Sequence, residues 1–267
     1  MLATRFGQDT RTTILGHRAI ALWMLGYPKA ALADAEHALK DAREVGQSAT
    51  LMYALYWTNT TQILCGNYAA ANAQVDELAA LVDKTGAAMW KPLRMIYQGF
   101  LLLLTGKAAD AAPMITSGLD GWRSMGSAQH LRFLAYLAQA NAELGQFDDA
   151  WRCISEALTG IDTTKERWFE ADLNRIAGEV MRRSPESDAT KVEAYFERAL
   201  AIARQQQAKS WELRAAMSMA RLWRSQGKSQ QARELLAPVY GWFTEGFDTR
   251  DLEEAKALLD KLRDQSI

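Results

Sequence analysis

The chain has 267 residues, 49% of them hydrophobic and only five of them proline, so it carries enough apolar material for a continuous core. Its 31 basic and 32 acidic residues nearly cancel, which argues against a polyanion-binding surface and removes nucleic acid from the expected partners. The opening MLATRFGQDT lacks the apolar core of a signal peptide, and no apolar run, residues 100–104 included, approaches the roughly 18 residues of a membrane span, so a cytoplasmic protein without membrane contact is expected.

Along the chain, apolar residues recur at three- and four-residue spacing in paired stretches, each pair divided by a glycine. Gly26, Gly66, Gly106, Gly145 and Gly227 stand at intervals of 40, 40, 39 and 82, the last being twice 41, and Gly46, Gly86 and Gly126 keep the same step. A fixed period of this size predicts an array of helical hairpins, each burying its apolar face against its neighbours. The predicted fold is all-α: a right-handed superhelix of about six hairpins in one domain, residues 1–267. The hairpins are expected over 8–46, 47–86, 87–126, 127–165, 166–208 and 209–247, with an amphipathic cap over 248–267.

The fourth hairpin shows the pattern most fully: FLAYLAQANAEL runs to Gly145, and QFDDA opens the second helix, WRCISEAL. Five residues after each framing glycine stands an alanine, Ala31, Ala71, Ala111, Ala150 or Ala232. Seven residues before it stands another small residue, Ala19, Asn59, Gly99, Ala138 or Ala220. Such a pair lets two helices approach closely, and a large side chain there would overpack the contact. In the fifth hairpin Ser184 and Pro185 replace the glycine as turn formers.

No catalytic, cofactor or metal site is expected. GKS at residues 227–229 lacks the earlier glycine and the preceding strand of a phosphate loop, and His17, His37 and His130 are scattered over different hairpins. Cys65 and Cys153, 88 residues apart in helical patterns, are expected to be reduced core thiols. Trp90, Trp168 and Trp211 each open a first helix; their recurrence with the repeat favours filling of equivalent slots between hairpins over a ligand-stacking row.

First helices are expected to line a concave groove, where polar residues are not needed by the core. Counting back 13 and 6 residues from the glycines places Arg132, Gln139, Arg214 and Arg221 there, with Asn174 or Arg175 in the fifth hairpin. Such arginines could pair bidentately with the carboxylates of an acidic peptide or a chain terminus. Tyr53, Tyr56, Leu93 and Ile96 occupy the matching positions earlier, giving the groove an apolar half. On this reading, reversing the charge of Arg132 and Arg214 weakens partner capture and leaves melting unchanged.

Gly145, Phe147, Ala150, Ala157 and Leu158 follow a pattern that resembles the tetratricopeptide repeat, although the repeat here is near 40 residues where that family usually has about 34. Residues 203–262, with LWMLGYPKAAL from Leu22 and ERWFEADLNRIAGE from Glu166, resemble the closing array of bacterial signalling proteins. In those, a class III cyclase or winged-helix domain precedes an AAA-like ATPase. The resemblance implies a non-catalytic sensor and regulator that binds a protein or peptide partner and contacts an upstream ATPase or cyclase domain. A severed domain is expected, because RFGQD follows four residues after the start and the N-terminus has no polar capping helix. The alternative is a standalone scaffold that joins other proteins.

Overall fold

The computed structural model describes residues 9–125 and 131–264. They form thirteen α-helices and one 3₁₀ turn, with no strand among the described residues. Five helical pairs follow the glycine frame: α1 (Thr10–Met24) with α2 (Pro28–Val45), α3 (Ser48–Leu64) with α4 (Tyr68–Thr85), α5 (Lys91–Leu104) with α6 (Ala108–Ser124), α7 (Leu131–Glu143) with α8 (Phe147–Thr164), and α11 (Lys209–Ser225) with α12 (Ser229–Gly241). The pair without a glycine is α9 (Glu170–Arg183) and α10 (Ala189–Gln205), and α13 (Arg250–Asp264) follows as the expected last helix. Gly126, His130 and the RFGQD segment up to Gln8 lie outside the described residues.

The framing glycines all have positive φ, between 75° and 91°, which an L side chain adopts only with strain. In the odd hairpin, Ser184 ends α9 in an extended conformation, and its Oγ accepts from the Glu186 amide at 3.2 Å. The second series of glycines continues without glycine: Lys165 and Gln207 hold φ of 63° and 54° where the repeat asks for a left-handed residue.

Small-residue pairs hold each hairpin together. All five alanines after the framing glycines are fully buried. Asn59 Nδ2 donates to the carbonyl of its partner Ala71 at 2.7 Å, and a Cβ on Gly99 would lie 3.0 Å from the carbonyl oxygen of Ala111. A polar link one residue further out joins the first two hairpins internally, as an Arg18–Asp34 ion pair and then as Thr58 Oγ1 lying 3.1 Å from Gln74 Oε1.

Contacts divide the described chain into two units, each built of stacked hairpins. One comprises the residues up to Ala88 together with Tyr240–Lys256; the other comprises Met89–Val239 and the residues from Ala257 onward. Cys65 and Cys153 are free and buried, and burial, with Glu156 nearby, pushes the Cys153 thiol up to about 11. No helix among the described residues is long and apolar enough to cross a membrane.

Candidate functional site

Three first helices of the second unit, α7, α9 and α11, carry polar residues at helical spacing on one face: Gln139 and Glu143; Arg175, Glu179, Arg182 and Arg183; Arg214, Ser218 and Arg221. The apolar stripe of each helix goes to the core, with Ala138, Leu173, Ile176, Ala216 and Ala220 at most 1% exposed, and this leaves the polar stripe outward apart from Ser218, which is buried. Between them lies a pocket of about 250 Å³ whose floor includes Ala142, Ile176 and Val180. Its wall brings four arginines, Arg175, Arg182, Arg183 and Arg221, against two carboxylates, Glu143 and Glu179.

Ion pairs fix this wall. Arg175 Nε donates to Asp172 Oδ1 at 2.6 Å, Arg182 Nη2 lies 2.9 Å from Glu179 Oε2, and Arg183 reaches from α9 to Glu143 on α7 at 3.3 Å. Ser218 Oγ on α11 donates to Glu179 Oε1 at 2.9 Å, tying α11 to α9. Burial alone would raise the Glu179 carboxyl, but Arg175, Arg182 and the Ser218 hydroxyl outweigh it and hold the group below its ordinary value. The Glu179 carboxylate is therefore charged at neutral pH and orients its arginines. A guanidinium has five N–H donors in a planar fork, more than these bonds use, so the wall can take up a carboxylate as well. Among the described residues no cluster of His, Cys, Asp and Glu could hold a metal ion.

Of the residues singled out by counting from the glycines, Gln139, Arg175 and Arg221 meet in this pocket. Asn174 does not join them: it is 2% exposed, and its Nδ2 donates to the Glu170 carbonyl of its own helix. Arg132 is also internal, at 5% exposed. Its guanidinium sits 4.5 Å from the Phe133 ring centre and 5.8 Å from that of Trp168, and donates to Tyr97 Oη at 2.8 Å. The next hairpin begins with Trp168, which closes over that arginine. Charge reversal at Arg132 therefore acts on the core, contrary to the expectation of unchanged melting.

Arg214, half-buried two turns before Arg221, rests 5.2 Å from the Trp211 ring centre. Tyr53 and Tyr56 belong to α3 in the first unit, where Tyr53 is half-buried and Tyr56 is buried against Trp57. Leu93 and Ile96 are fully buried, because Gly118 of α6 comes up against Ile96, so these two form core and not an apolar half of a groove. Trp211 is buried and donates from Nε1 to the Trp168 carbonyl at 2.9 Å, an inter-hairpin packing role. Glu179, Arg182, Arg183 and Ser218 were missed by the count; the three- and four-residue steps from Arg175 and Arg214 would have found them.

No protein-family model and no curated protein matches the sequence. The fold is shared with solved structures. The apo form of RapI has a TM-score of 0.63 at 12% identity, over 95% of this chain and 86% of that one. A Rap protein complexed with Competence and Sporulation Factor has a TM-score of 0.62 at 12% identity, over 94% and 80%. NprR in complex with its cognate peptide NprX has a TM-score of 0.58 at 16% identity, over 93% and 77%. At these identities the likeness is one of fold.

Proposed function

We propose that the chain is a non-catalytic regulatory module that holds a protein or peptide partner against the first helices of its second unit, with the arginine wall of the pocket receiving carboxylates. The observation that carries this reading is the convergence of Arg175, Arg182, Arg183 and Arg221 beside Gln139. Two structures of the same fold are complexes with a factor or a cognate peptide, which supports a partner of that kind. The finer reading, from the sequence resemblance alone, places the module after an ATPase and a cyclase or winged-helix domain whose output it switches.

The test is fluorescence anisotropy of labelled decapeptides, one rich in Asp and Glu with a free C-terminal carboxylate and one with Lys in place of the acids. The acidic peptide binds and the basic one does not. Arg175→Glu with Arg221→Glu weakens the acidic peptide at least about tenfold, the scale of losing one charge-assisted contact of 1.5–3 kcal/mol. Equal binding of both peptides, or an unchanged affinity in the double variant, removes the pocket from the function.

A further inference from the structure

Residues 242–250, the link between α12 and α13 with the first residue of α13, lie against the turn edge of the first two hairpins, within the first unit. Helix α2 has no side-chain cap of its own, since Tyr27 at its N-cap makes no such bond. Glu245 supplies one from 215 residues away: its Oε1 accepts from the Ala30 amide at 3.0 Å. Beside it Gly246, at φ 71°, is pressed so closely on Pro28 that a Cβ would stand 2.3 Å from the ring. Four residues later Arg250 meets the second turn: its Cβ lies where a side chain on Gly66 would come to 2.5 Å, and its guanidinium sits 5.1 Å from the Tyr68 ring centre. The equivalent glycines Gly106, Gly145 and Gly227 face open space, so the closeness at Gly66 belongs to a turn that the segment covers.

Contact here is specific and shallow. Phe243 and Thr249 are buried, but Trp242 and Phe247 stay 38% and 48% exposed, as does Tyr27, whose ring centre is 5.7 Å from that of Trp242. Among the contacts that hold the stretch are a hydrogen bond, a cation–π contact and two glycine approaches, and it has no helix of its own between Gly241 and Arg250.

We propose that the turn edge of the first two hairpins is a recognition surface for the chain's own C-terminal segment, which closes on it as a releasable latch. The recognised pattern is a carboxylate at the α2 amides, a glycine against Pro28 and a cation on Tyr68. The occupant is residues 242–250 in cis, and the interaction is independent of the arginine pocket.

Hydrogen exchange on the full chain tests this. In Gly246→Leu, amides 29–31 and 65–68 exchange at least about tenfold faster than in the parent, while amides 170–183 keep their protection. Adding a peptide of residues 240–256 restores protection at both turns, and the same peptide carrying Gly246→Leu does not. If Gly246→Leu loosens the whole chain, the milder Glu245→Ala/Arg250→Ala variant decides, with the same peptides. Unchanged exchange at both turns in the folded variant, or no restoration by the parent peptide, overturns the latch.

Discussion

Replacing Arg132 by Glu places a carboxylate in a site 5% exposed and lined by Tyr97, Phe133 and Trp168. The charged hydrogen bond to Tyr97 Oη accounts for about 1.5–3 kcal/mol. The guanidinium over desolvated rings adds about 2 kcal/mol, and the new anion faces the negative side of those rings. A loss of about 4 kcal/mol is expected, in line with the 3–5 kcal/mol seen when a buried charge loses its partner. In a chain of this size that corresponds to a fall of roughly 8–16 °C in Tm. Urea denaturation followed by tryptophan fluorescence reads it, since Trp168 lies beside the altered group. Arg221→Glu, on an exposed residue of the same predicted groove, changes stability by no more than about 0.5 kcal/mol. An Arg132→Glu protein within about 1 kcal/mol of the parent would refute the burial argument and return that arginine to the open face.

Two further outcomes follow from packing and charge. Gly118→Ala gains about 1 kcal/mol of helix propensity, yet its Cβ would stand 2.7 Å from the Pro92 carbonyl oxygen, so overpacking of about 1–3 kcal/mol prevails and the urea midpoint falls; Gly241→Ala, with nothing within 4 Å, shows no fall. Because Glu179 is held below its ordinary value of 4.5, its contribution to stability is present above that pH and is lost as pH falls through the depressed value. Ser218→Ala removes one of the groups that depress it, so the stability difference between parent and variant at pH 7 shrinks as pH falls through the depressed value; a difference that stays constant throughout acid titration would contradict the assignment.

The hairpin frame was legible because it depends on backbone sterics: a left-handed residue at the turn and a small pair across the helices leave fixed letters in the sequence. Where conformation was secured by other means the letters vanish, as at Lys165 and Gln207, which take positive φ without being glycine. The site was legible only in part. Counting by repeat found Gln139, Arg175 and Arg221 because they sit on outward faces, but it treated Arg132 and Asn174 as their equivalents. What separates them is the neighbouring hairpin: Trp168 arrives over Arg132, and Asn174 turns back on its own helix. Neither event is written in the spacing of one helix. Residues 242–250 were read as the end of the sixth hairpin and the start of a cap, since a chain's periodicity carries no information about a contact with a residue 215 positions earlier.

Turn lengths divide the chain into two kinds of junction. Inside hairpins, three residues join the helices in five cases of six, whereas between hairpins the link is two residues after α2, three after α10 and five after α8. The hairpin is thus a rigid brick with a fixed gauge, and the mortar between bricks varies. Insertions should be tolerated in the mortar better than inside the bricks, whose turns are fixed at three residues in five of the six hairpins.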